Sequence, residues 1–99
     1  MTSNKRRPAI VISNDEYNHK TQDAIVVGVT SNIQRKEYSV LLRKESMEEG
    51  ELLQESEIRA DKIYSISQGI IVKRFGRIKE DVFREVVKKI DALIEARGV

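Results

Sequence analysis

Two arginines, a threonine and an aspartate are the residues of this chain best equipped for chemistry. Arg7 stands directly before Pro8. Proline has no backbone donor and holds φ at about −65°, so Pro8 suits the first residue of a strand and not its interior. The same ring biases Arg7 toward extended backbone. Arg7 is thereby held at a strand entrance, where its planar fork of donors can meet a phosphate. Thr30 and Ser31 stand at the end of an apolar run over 24–30 that reads as a strand. Arg59 and Asp61 flank Ala60 near another strand end.

If these ends converge, they hold the parts for cleaving RNA without a metal. The ribose 2′-hydroxyl is then the nucleophile, and the protein supplies none. Asp61 is a candidate acceptor for its proton. Arg7, helped by Arg59, would stabilise charge on the phosphorane. Losing one such preorganised donor costs about 3–4 kcal/mol of barrier. Thr30 would hold a phosphate oxygen. An arginine pKa above ~12 suits Arg7 to charge stabilisation better than to leaving-group protonation. The same spacing equally fits a plain surface ion pair between Arg59 and Asp61, worth about 0–1 kcal/mol.

Other chemistries fail at the inventory. His19 is the only histidine and there is no cysteine, which excludes a two-histidine acid–base pair, cysteine proteases and thiolate zinc sites. His19 sits in a polar stretch and reads as an ordinary exposed residue. No phosphate-cradling glycine loop or dinucleotide fingerprint is present. Glu45, Glu48, Glu49, Glu51, Glu55 and Glu57 fit no calcium-loop spacing and read as a solvated acidic loop. No metal or cofactor is expected.

The 99 residues suit one domain spanning 1–99 with one modest core. No apolar run approaches the ~18 residues of a membrane span. No hydrophobic segment follows the basic N-terminus, so no secretory signal is expected. With cysteine absent as well, the expected location is the cytoplasm. The net charge of +2 conceals an uneven distribution. Basic residues gather at Lys5-Arg6-Arg7, Arg35-Lys36, Arg43-Lys44 and Lys73-Arg74-Arg77. These clusters read either as nucleic-acid patches or as scattered solvated charge.

Short strands are expected at 9–13, 24–30, 37–42 and 56–60. A hairpin with arms 62–67 and 70–75 is expected around Gln68-Gly69. Loops are expected at 14–23, 31–36 and 44–56. Val82, Phe83, Val86, Val87, Ile90, Leu93 and Ile94 recur at helical spacing, predicting a helix over 79–97 that ends at Gly98. Its apolar stripe fits packing on a sheet, or a partner helix. Strands followed by one helix make an α+β domain, a small curled antiparallel sheet with a helical lid.

Four segments also carry a resemblance. Arg6-Arg7-Pro8-Ala9 leads into Val11-Ile12-Ser13-Asn14-Asp15, and residues 24–32 end in Thr30-Ser31-Asn32. Residues 56–63 hold Arg59, Asp61 and Lys62-Ile63, and Lys73-Arg74-Phe75-Gly76-Arg77-Ile78 leads into the last helix. In this order, over about 5–94, they resemble the MazF/PemK family of toxin endoribonucleases. The resemblance implies an SH3-like curled antiparallel β-barrel with a C-terminal amphipathic helix, assembled as a homodimer. It implies metal-independent, sequence-selective cleavage of single-stranded RNA (mRNA) to 2′,3′-cyclic phosphate and 5′-hydroxyl ends, and a cognate antitoxin that blocks the RNA groove. By position Arg7 matches the family's catalytic arginine and Thr30 its catalytic threonine. Arg59 and Asp61 match a pair that some members use. Arg6, Ser31, Arg59, Lys73 and Arg74 are the expected RNA contacts, with Arg7, Thr30 and Asp61 catalytic.

Two departures accompany the resemblance. Members usually begin with a glycine-aspartate-isoleucine-valine strand and a loop before the arginine-proline pair, whereas only Met1–Asn4 precedes Lys5 here. That strand and loop are expected to be absent, leaving a sheet edge for a neighbouring protomer to cover. Lys62 stands where glutamine is common. The alternatives are a weak or inactive module that binds RNA or antitoxin, and the related branch that poisons DNA gyrase. The Arg7 and Thr30 motifs belong to the RNA-cleaving branch.

Overall fold

Why the strands adopt their order follows from where the buried side chains fall. The computed structural model describes residues 6–95. Lys5, residues 96–97 and Gly98 lie outside the described residues, but the helix expected to run to 97 already ends at Leu93, where Ile94 turns to extended backbone. The elements are β1 (Ala9–Val11), α1 (Asp15–Thr21), β2 (Asp23–Thr30), β3 (Ser39–Leu42), β4 (Met47–Gly50), β5 (Ser56–Ser67), β6 (Gly76–Ile78) and α2 (Glu80–Leu93). Four strands form an antiparallel sheet in the order β1-β2-β5-β3, curled into a half-barrel. β4 and β6 form a separate antiparallel pair.

One face of the curled sheet makes the core. Val27, Leu42, Ile58 and Ala60 are buried there against Val86 of α2. Burying each of the larger side chains contributes about 1.5–3 kcal/mol. Ile10, Ile12, Val29, Val40, Val82 and Ile90 pack around them. Val82, Val86 and Ile90 are four residues apart, so one stripe of α2 lies on the sheet. Val87, Leu93 and Ile94 of the expected stripe remain exposed. Glu80 and Arg84, four residues apart on α2, pair at 2.8 Å. Among the described residues no helix is long and apolar enough to cross a membrane.

Three sequence expectations are corrected. Residues 14–23 are not a loop. Asn14 caps α1 by accepting the Tyr17 N–H at 2.8 Å, and Gln22 ends the helix in the left-handed region. Ser13 and Gln68 then tie α1 to its neighbours. The Ser13 hydroxyl donates to Asn18 and accepts from the Ile25 N–H, and the Gln68 amide donates to the carbonyls of Asn18 and Asp23.

Residues 44–56 are not one loop either. A 3-10 turn at Lys44–Ser46 leads into β4, which pairs with β6. Residues 56–60 and 62–67 are a single strand, β5, whose neighbours are β2 and β3. The expected return arm at 70–75 forms no strand. β2 already pairs with 63–67 of β5, and Gln68–Ile70 instead closes a 3-10 turn in which the Ser67 side chain accepts the Gly69 N–H.

Candidate functional site

The ladder between β1 and β2 sets Ala9 opposite Gly28 and Ile10 opposite Val27. The Val29 N–H donates to the Pro8 carbonyl at 3.2 Å, carrying the ladder one residue further. Continued by one more residue, the register puts Arg7 across from Thr30. Facing residues of an antiparallel pair share a face of the sheet. Gly28 faces Arg59 and Thr30 faces Glu57 on β5, while Arg59 faces Ser39 and Glu57 faces Leu41 on β3. Gly28, Thr30, Glu57 and Arg59 therefore lie on the face opposite the core, and the extended register would add Arg7 to it. Arg6, Arg7 and Ser31 are exposed, and Thr30 is half-buried. The Thr30 hydroxyl oxygen accepts the Asn32 N–H at 3.1 Å, which orients it and leaves its proton free to donate.

The register slips between Val27 and Gly28, so that Val27 faces Ile63 while Gly28 faces Arg59. Residues 60–62 bulge out of the ladder there, the kind of local break that re-aims side chains. Asp61 is brought back against Arg59. Arg59 Nε donates to Oδ1 at 3.0 Å and Nη2 to Oδ2 at 2.9 Å. Their side chains are 17% and 33% exposed, so the pair is partly shielded. The hydrogen bonds from Arg59 hold the Asp61 carboxyl below its ordinary range, against the opposing effect of partial burial, and the charges of Arg59 and Lys62 add to the lowering. The bond to Asp61 likewise raises Arg59. Both Asp61 oxygens are thus engaged by Arg59, whose guanidinium is held in a fixed plane. Lys62 lies over the floor of this face, its Cβ 3.5 Å from where a Cβ on Gly28 would stand.

The other expected contacts fall elsewhere. Lys73 and Arg74 lie in the segment before β6. Lys73 sits over the Phe75 ring at 5.4 Å and Arg74 is 3.9 Å from Glu49 of β4. No described bond ties them to the Arg7–Thr30 face. His19 is exposed in the last turn of α1. It lines a polar hollow of about 500 Å³ with Asp15, Asn18, Gln22 and Gln68, at the end of β2 far from Thr30. Among the described residues no cluster of three or more acidic or histidine side chains is arranged to hold a metal.

One residue was missed by the sequence reading. Glu57 does not belong to a solvated acidic loop. It is 2% exposed and directly opposite Thr30. Its carboxylate accepts the Arg35 N–H at 2.8 Å and the Gln34 N–H at 3.5 Å. The available signal was alternation, since a strand over 56–60 puts Glu57 on the same face as Arg59.

Comparison with known proteins identifies the family and the fold. The family model described as PemK-like, MazF-like toxin of type II toxin-antitoxin system matches residues 2–94. No curated protein matched the chain. A structure of MazF from Deinococcus radiodurans superposes with a TM-score of 0.75 at 27% identity, covering 90% of this chain and 76% of that one. The MazE–MazF complex of the same organism gives 0.74 at 26% identity, with 89% and 84% covered. An endoribonuclease in complex with its cognate antitoxin from a mycobacterial species gives 0.71 at 17% identity, with 87% and 78% covered, a likeness of fold. With its sequence matched to that model almost end to end, the chain belongs to the PemK-like, MazF-like toxin family of type II toxin–antitoxin systems.

Proposed function

We propose that this chain is the toxin of its pair and cleaves single-stranded RNA as a metal-independent endoribonuclease. The observation that supports the reading is the β1–β2 register, which, extended two residues beyond Ala9, would bring Arg7 opposite Thr30, with the Arg59–Asp61 pair on the neighbouring strand. In this mechanism the ribose 2′-oxygen attacks phosphorus as its proton passes to Asp61, the bond from phosphorus to the 5′-oxygen breaks, and that oxygen takes a proton from solvent water. The products are a 2′,3′-cyclic phosphate and a 5′-hydroxyl. Arg7 and Arg59 stabilise the phosphorane charge, and Thr30 donates to a phosphate oxygen. Asp61 holds Arg59 in plane. As proton acceptor it works against its own lowered basicity. The proposed RNA contacts are Arg6, Ser31 and Arg59, with Lys73 and Arg74 further along the strand.

The proposed partners are a cognate antitoxin and a second copy of the chain, in the cytoplasm. The MazE–MazF neighbour supports the antitoxin. β3 pairs with β5 only over Ser56–Arg59, so among the described strands none covers that edge of β5 over 61–67, where Ile63 and Tyr64 are exposed. An open edge with apolar side chains supports a dimer. The test is incubation of the protein with a long RNA in EDTA. Cleavage with new 5′-hydroxyl ends supports the reading, and its absence across varied RNAs at high protein concentration overturns it. One observation, that both Asp61 carboxylate oxygens accept from Arg59, favours a second reading, a module that binds RNA without cutting it. Salt-sensitive RNA binding with no new ends would identify that module.

A further inference from the structure

We propose that Glu57 is a positioning residue. Its buried carboxylate fixes the connection between β2 and β3 so that Arg35 and Lys36 wall the RNA groove beside Thr30. The inference rests on the RNA-cleaving reading above. A carboxylate removed from water is costly unless it is hydrogen-bonded. Glu57 is 2% exposed, yet among the described residues no buried side-chain polar atom lacks a partner. Its chief partner is the Arg35 N–H at 2.8 Å, a charge-assisted bond, while the contact to Gln34 at 3.5 Å is weak.

The connection needs such a clamp. Arg35 has φ 53, the left-handed region, which a non-glycine residue adopts at a penalty of roughly 1–2 kcal/mol. A carboxylate bound to its N–H offsets that penalty. The clamp has a geometric result. Arg35, Lys36, Ser39, Leu41 and Glu57 line a hollow of about 200 Å³. Ser39 faces Arg59 and Leu41 faces Glu57, so the hollow continues the Arg7–Thr30–Arg59 face by one strand. An RNA strand crossing that face meets the two cations of the connection next. The Glu57 charge is spent on the backbone of the loop, so the phosphates meet Arg35 and Lys36 instead.

The test compares Glu57→Leu, Glu57→Gln and Lys36→Ala. Hydrogen exchange at the Arg35 amide and separate KM and kcat values are measured for each. In Glu57→Leu the Arg35 amide is expected to exchange about tenfold faster or more, and KM to rise about tenfold with kcat within about threefold. Glu57→Gln keeps one acceptor oxygen and is expected to restore most of both. Lys36 is exposed, so Lys36→Ala leaves the fold intact whatever happens to Glu57→Leu, and it is expected to raise KM several-fold, about 3–10. Unchanged Arg35 exchange in a folded Glu57→Leu, a loss confined to kcat, or an unchanged KM in Lys36→Ala overturns the proposal. Should the wild type cut no RNA, the cleavage reading fails. Affinity for the same RNA then replaces KM, and the exchange and affinity arms still decide the role of Glu57.

Discussion

Arg59 and Asp61 show how far one pair of side chains can be read. Their spacing fitted either a catalytic element or a surface ion pair. The bidentate geometry and partial shielding make the pair an orienting device for a guanidinium. Asp61→Asn keeps the shape and removes the charge. It is expected to slow RNA cleavage about 10–100-fold, measured as kcat/KM at neutral pH. Stability carries a signed prediction. The Asp61 pKa is lowered in the fold, so the contribution of the pair is complete above the unfolded value of ~3.9 and is lost as pH falls through the folded value. The melting temperature of Asp61→Asn should lie below that of the wild type at neutral pH, and the gap should close in strong acid. A gap that persists there would mean the charge is not what stabilises. At this scale the position of Thr30 at the end of β2 was legible from the apolar run before it, whereas Arg59 and Asp61, expected near a strand end, lie within β5 at its bulge. Glu57 was not legible, because its burial depends on a loop 22 residues away along the chain folding over it.

Elements were legible where a hydrophobic period existed. β2 and the start of α2 carry strong apolar patterns and were found close to their observed positions, whereas α2 stops at Leu93 and not at 97. α1 has no buried residue, so no apolar period marks it. It is held by its Asn14 cap, by acidic residues in the first turn and basic ones in the last, and by the Glu16–Lys20 pair at 3.7 Å. Asn14→Ala is expected to cost about 1 kcal/mol, read from denaturant unfolding. β4 was hidden in an acidic run because its partner lies 26 or more residues on. That pair depends on two glycines. Gly50 has φ 81 and Gly76 φ 150, and a Cβ on either would stand about 2 Å from a backbone oxygen of the facing strand, 2.0 Å from Phe75 at Gly50 and 2.2 Å from Glu49 at Gly76. Alanine at either position should destabilise by about 1–3 kcal/mol or more in the same unfolding measurement. Wild-type stability in both variants would mean the β4–β6 pair is not held as described.

At the scale of the whole molecule, the small core and the curled sheet divide the labour. Val27 of β2, Ile58 and Ala60 of β5 and Leu42 of β3 form the core with Val86 of α2, while Thr30, Glu57 and Arg59 lie on the opposite face. A one-residue slip would exchange those two sets, so the hydrophobic pattern that specifies the core also specifies the site. That coupling ties the candidate site to the fold. The β5 bulge escaped detection because nothing local in residues 60–62 announces it. The net charge of +2 is too small to gather RNA by itself, so binding should rest on the basic groove. Affinity for a single-stranded RNA should therefore fall with salt, with a log–log slope of about −0.7 per phosphate contacted, and Arg6→Ala should make that slope shallower by nearly one contact.

The most direct measurement is a double-mutant cycle on Arg7 and Thr30, with RNA cleavage followed in EDTA. Arg7→Ala should lower kcat by about 10²–10³-fold and Thr30→Val by a comparable factor, with the double variant barely worse than Arg7→Ala, as expected of two groups acting on one phosphate. Full activity in either single variant, or effects that simply multiply, would contradict a shared phosphate between these two side chains.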